Sequence, residues 1–143
     1  MGLFEILFEH RNPGEVGGIE KNNRRPDPVD PVILVIKLII SAFITGFVFW
    51  ATMNGYYSLS RTVTFIVIVS IYCLVSYIIV PRPAESNLGW LGGLFDNPFR
   101  YSDDINRMLL FMRVILLPGR FIATTLVQTI AAVSEFFRSR RMR

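Results

Sequence analysis

The sequence predicts an all-α membrane protein: a two-span transmembrane helical hairpin followed by a C-terminal amphipathic helix lying at the interface. Three observations lead there. The 143-residue chain is 52% hydrophobic and only 18% charged, and its mean hydropathy of +0.44 exceeds that of ordinary soluble domains, where charged residues reach about a quarter. Two apolar runs, 32–53 and 62–80, each have the length of a bilayer crossing. A later segment, 104–137, is apolar yet carries a narrow polar stripe. So much apolar surface excludes a disordered chain, and a single cysteine, Cys73, excludes a disulfide scaffold.

Residues 1–31 read as an amphipathic stretch, MGLFEILFEH, followed by a proline-rich extended arm. The stretch lacks the basic start, long apolar core and cleavage site of a signal peptide. Gly2 invites myristoylation, but Ile6 stands where that motif needs Ser or Thr. In the arm, Pro26, Pro28 and Pro31 favour extended backbone.

Val32–Met53 contains one charge, Lys37, close enough to its start to snorkel to the headgroups. At 1.5 Å per residue the run reaches about 33 Å, against a hydrocarbon core of about 30 Å. Trp50, Tyr56 and Tyr57 gather at its far end as an aromatic belt. Thr62–Val80 is uncharged and framed by Arg61 and Pro81-Arg82; its β-branched content would suit a strand in water, but in lipid the backbone must satisfy itself, so a helix is expected. The short connection makes the pair an antiparallel hairpin. Small-residue steps, Ala42-xxx-Gly46 and Ala51-xxx-Gly55, allow close helix approach. Ser70, Cys73 and Tyr77 share one face of the second span. Either set could seat a partner helix or simply pair the hairpin with itself.

Residues 81–103 form a glycine-rich apolar connector, PRPAESNLGWLGGLFDNPFRYSD, expected to lie against the interface. It has neither the spacing nor the lysine of a phosphate-binding loop. The helix beyond it is expected from about Asp103, with Ser102 as N-cap, Asp103 and Asp104 at the positive end of the dipole, and Arg107 paired with Asp103. On a helical wheel Asn106, Arg113, Arg120, Thr124, Gln128, Glu135 and Arg138 fall within about 80° of one another. Such a stripe faces water if the helix lies in the interface, or a partner or aqueous path if it crosses. Pro118-Gly119 is expected to kink or divide the helix. The tail Arg138, Arg140, Arg141 and Arg143 is hard to translocate and suits anionic lipid headgroups, which favours the interfacial arrangement.

The charge supports one orientation. Residues 1–31 carry four bases (Arg11, Lys21, Arg24, Arg25), residues 81–143 carry nine, and the connecting loop carries only Arg61. The positive-inside rule then places both termini on the cytoplasmic or equivalent side of a bacterial inner membrane or an organelle inner membrane.

No catalytic constellation accompanies this architecture. His10 has no second histidine or cysteine near it, and Ser41, Thr45 and Thr52 have no histidine partner. Cys73 lies mid-span without an activating base, and the acids Asp96, Asp103 and Asp104 do not have calcium-loop spacing. No cofactor, metal or nucleic-acid partner is expected. The expected role is a non-catalytic accessory subunit of a larger membrane complex, whose partners are other membrane subunits, anionic lipids, or further copies of the chain as a homo-oligomer. The alternatives are a membrane-shaping or anionic-lipid-binding hairpin, and a pore or transporter component lined by Arg113, Arg120 and Gln128.

Overall fold

The computed structural model describes residues 15–23, 27–84 and 101–141, with side chains from Ile105 onward in the last segment. The amphipathic stretch expected at 1–10, the glycine-rich part of the connector and Arg143 lie outside the described residues, as do the side chains of Ser102, Asp103 and Asp104. The described elements run β1 (Gly18–Lys21), α1 (Pro31–Met53), α2 (Leu59–Ile78), β2 (Ile79–Arg82) and α3 (Tyr101–Arg141). The chain divides into two compact units, Met1–Asn22 with Ile79–Leu116, and Asn23–Ile78 with Leu117–Arg143. Helix α3 contributes its first part to one unit and the rest to the other.

In the first unit β1 and β2 pair antiparallel, with Gly18 opposite Arg82 and Lys21 opposite Ile79. This corrects the all-α expectation, and it also shortens the second span, which was expected to reach Val80 but ends at Ile78. Pro81 and Pro83 explain both departures. A residue before proline is driven out of the helical region toward extended backbone, so Val80 lies inside a strand, Ile79–Arg82, instead of ending a helix. The ribbon is braced on its surface by Arg82 Nε and Glu20 Oε2 at 3.1 Å, a half-exposed pair worth at most about 1 kcal/mol.

In the second unit α1 starts cleanly. The Asp30 side chain accepts a hydrogen bond from the Val32 N–H at 2.8 Å, and Pro31 occupies the first helical turn, where its missing N–H costs nothing. The helix ends at Asn54, whose φ of 43° is left-handed, followed by Gly55 at φ 81°. Gly55 therefore lies in the turn beyond α1, and Ala51–Gly55 is not a step along one helix face. Helix α2 begins at Leu59, three residues before the expected Thr62. Ser58 sets that start: its Oγ accepts from the Arg61 N–H at 3.3 Å, and its carbonyl accepts from the Thr62 N–H at 3.0 Å. Phe49 meets the edge of Phe65 at 5.1 Å and lies 6.2 Å from Tyr57, closing the hairpin near its turn.

Helix α3 is continuous from Tyr101 to Arg141, so Pro118-Gly119 does not divide it. Proline removes one internal hydrogen bond, and the remaining turns on either side carry the helix through. Ser102 lies inside the helix rather than capping it.

Among the described residues three helices, not two, are long and apolar enough to cross a membrane: Pro31–Met53, Leu59–Ile78 and Ile105–Arg141. Large apolar side chains on α1 and α2, such as Phe43, Ile39 and Ile68, point outward and are mostly exposed. In water that surface would drive aggregation; in lipid it is the expected exterior. The chain is thus a membrane-embedded, mainly helical protein.

Candidate functional site

The polar side chains that sequence reasoning gathered into one stripe on α3 take different roles. Asn106 is completely buried in the first unit. Its Oδ1 accepts from the Gly17 N–H at 2.8 Å and the Ala84 N–H at 3.2 Å, while its Nδ2 donates to the Glu15 carbonyl at 3.0 Å. One amide thereby clamps α3 to the segments that bracket the ribbon. The chain passes so close at Gly17 that an added Cβ would stand 2.6 Å from Pro83 Cα and 2.8 Å from the Ala84 nitrogen.

In the second unit Gln128 is the polar junction. Its Oε1 accepts from Lys37 Nζ at 3.3 Å, and its Nε2 lies 3.5 Å from the Asp27 carbonyl oxygen, to which it donates. The one charge inside the first apolar run thus has a partner on α3. Just beyond, Asp27, Leu34, Gln128 and Glu135 border a cleft of about 160 Å³. Thr124 donates back to the carbonyls of Arg120 and Phe121, at 2.8 and 3.1 Å. Arg113 is exposed and Arg120 half-buried.

A second contact in this unit had no expectation attached to it. The Gly119 N–H donates to the Tyr72 hydroxyl at 3.3 Å, and Ser76 is fully buried. A Cβ at Gly119 would fall 2.5 Å from Ser76 Oγ and 2.5 Å from the Tyr72 ring. The buried Ser41 and Ser76 hydroxyls make no hydrogen bond among the described residues, so Ser76 serves by being small. The signal for this contact was in the sequence, in the small residues Ser76 and Gly119, but nothing in their spacing paired them.

The remaining singled-out residues line no interior. Ala42, Gly46, Ala51 and Ser70 are exposed, and Cys73 and Tyr77 are half-buried. Among the described residues nothing stands within 4 Å of a Cβ built at Gly46. Beside it the rings of Phe43, Phe47 and Trp50 form a ladder, with centroids 6.5 and 6.1 Å apart, open to the outside. At the far end of α3, Arg138, Arg140 and Arg141 are exposed, and the Arg140 guanidinium lies 4.8 Å over the Phe136 ring. Among the described residues no three His, Cys, Asp or Glu side chains are grouped to hold a metal ion.

No protein-family model, curated protein or solved structure matches the chain.

Proposed function

We propose that the protein is a non-catalytic accessory subunit of a larger membrane assembly, built as a two-span hairpin with α3 lying along the interface at the end where the termini emerge. The observation that carries the subunit role is the open seat on α1. The Ala42–Gly46 step is left uncovered, with free space above Gly46 and an aromatic ladder alongside. Small residues in a span let another backbone approach closely, and among the described residues no helix of this chain uses the place. The polar side chains described above hold backbone and helices together, which is a structural use. Gentle solubilisation followed by sizing tests the role: elution well above a 16.4 kDa chain in detergent is expected, and a monomer overturns it.

The position of α3 rests on its charged end. Arg138, Arg140 and Arg141 are exposed and costly to translocate, which supports the interfacial arrangement, and the single base in the connecting loop supports both termini on the cytoplasmic or equivalent side.

One observation favours a second reading, a membrane-shaping or lipid-binding role. Exposed Phe136 and Phe137 stand beside Arg138, Arg140 and Arg141, which suits insertion into an anionic leaflet. Flotation with liposomes separates the two: binding indifferent to anionic lipid and to curvature eliminates the second.

A further inference from the structure

The second unit contains a groove that the accessory role does not use. It holds about 500 Å³ between α1 and α2 on the turn side of the hairpin, within the range of small-molecule and cofactor sites. Its walls are apolar, including Val48, Met53, Phe65 and Ile68. The Thr52 and Thr64 hydroxyls donate to the carbonyls of Val48 and Ser60 in their own helices, so neither hydroxyl is free to solvate the interior. No acid lines the groove, and its one charge is Arg61.

Three features together specify an occupant. The lining on α2 runs from Ser60 to Tyr72, about 18 Å of helix, close to the depth of one leaflet of a hydrocarbon core of about 30 Å. Arg61 stands at the headgroup end of that run, its guanidinium 5.7 Å over the Tyr56 ring, and no carboxylate pairs with it among the described residues. Tyr57 and Trp50 are exposed at the same end, at the level where amphipathic rings settle. We propose that the groove is a binding site for one anionic phospholipid of the surrounding bilayer, with its phosphate on Arg61 and an acyl chain along α2 toward Tyr72. A zwitterionic lipid offers the same chain but a net-neutral headgroup, so the site discriminates by charge. The proposal rests on the hairpin spanning the membrane and is independent of the open seat at Gly46.

The test uses the full chain, purified in mild detergent and mixed with phosphatidylglycerol or phosphatidylcholine of matched chains, read by native mass spectrometry. One phosphatidylglycerol retained per chain is expected, in preference to phosphatidylcholine. Arg61→Gln should weaken that retention roughly fivefold, the effect expected of one lost cation near a membrane surface, whereas replacing Arg138, Arg140 and Arg141 together by Gln should leave this one tight lipid in place. Val69→Trp should fill the groove and displace the lipid. If that variant fails to fold, Arg61→Gln, exposed at the helix start, decides alone. Equal retention of both lipids, or retention unchanged in Arg61→Gln, overturns the site. A disulfide-linked dimer from Thr64→Cys in a Cys73→Ser background overturns it too, by assigning the groove to a second copy. Extraction of the wild-type protein by alkaline carbonate would instead remove the spanning hairpin itself, so the two failures are distinguishable.

Discussion

Asn106 shows how much one side chain can hold. It satisfies three backbone groups that lie far from it in sequence, and it is completely buried. Replacing it by Ala leaves two N–H groups and a carbonyl without partners inside the fold, and an orphaned buried polar group costs about 1–3 kcal/mol. Asn106→Ala should therefore lower the thermal midpoint in detergent by several degrees, while exposed Arg113→Ala leaves it within error. An equal response from the two variants would mean that the clamp contributes nothing. Gly119→Ala should act in the opposite physical sense, by crowding. Its new Cβ would meet Ser76 and Tyr72 inside contact distance, and overpacking of this kind costs about 1–3 kcal/mol. A thermal midpoint as high as the parent's would show that the contact yields freely. Periodicity marked Asn106 as polar and on one side of α3, yet it could not show burial. Its partners are backbone groups of Glu15, Gly17 and Ala84, and backbone groups carry no sequence signal.

The elements were legible in proportion to how local their causes are. An uncharged or nearly uncharged run of spanning length forces a helix, because lipid offers the backbone no other partners; α1 and α2 follow from that alone. Their ends moved where a single side chain intervened, Ser58 drawing α2 three residues earlier and Pro81 stopping it two residues sooner. The β-ribbon was hidden because each strand is four residues long and finds its partner about sixty residues away. Helix α3 was ambiguous for a physical reason. Apolar enough by composition to cross, it is also striped and ends in arginines, so length and hydropathy point one way and charge the other. Single cysteines in a Cys73→Ser background test this with a membrane-impermeant maleimide on sealed vesicles. Ser139→Cys and Val16→Cys should react from the same side, and Tyr57→Cys from the other. Ser139→Cys reacting together with Tyr57→Cys would make α3 a third span and revive a polar path through Arg113, Arg120 and Gln128.

At the scale of the whole molecule, the hydropathy that excluded a soluble domain becomes a question of which apolar surface meets lipid and which meets protein. Lipid chains and leucine side chains are equally apolar, so helix association in a membrane depends on close packing rather than on hydrophobic burial. That singles out Gly46 among the many exposed apolar positions of α1: it is where a second backbone could approach closest, and a Cβ there meets nothing within 4 Å among the described residues. Gly46→Leu should consequently leave insertion, carbonate resistance and the thermal midpoint of the isolated chain unchanged, because nothing of this chain is displaced. It should, however, reduce recovery of the large species after gentle solubilisation severalfold, since a leucine holds a partner backbone away. Co-expressing two differently tagged copies then divides the outcomes. Mutual capture that falls with Gly46→Leu identifies the partner as a second copy, and absent mutual capture with a persistent large species identifies a different subunit. A large species recovered equally from Gly46→Leu would reject the seat on α1, and a wild-type protein that elutes as a monomer would reject the accessory role as a whole.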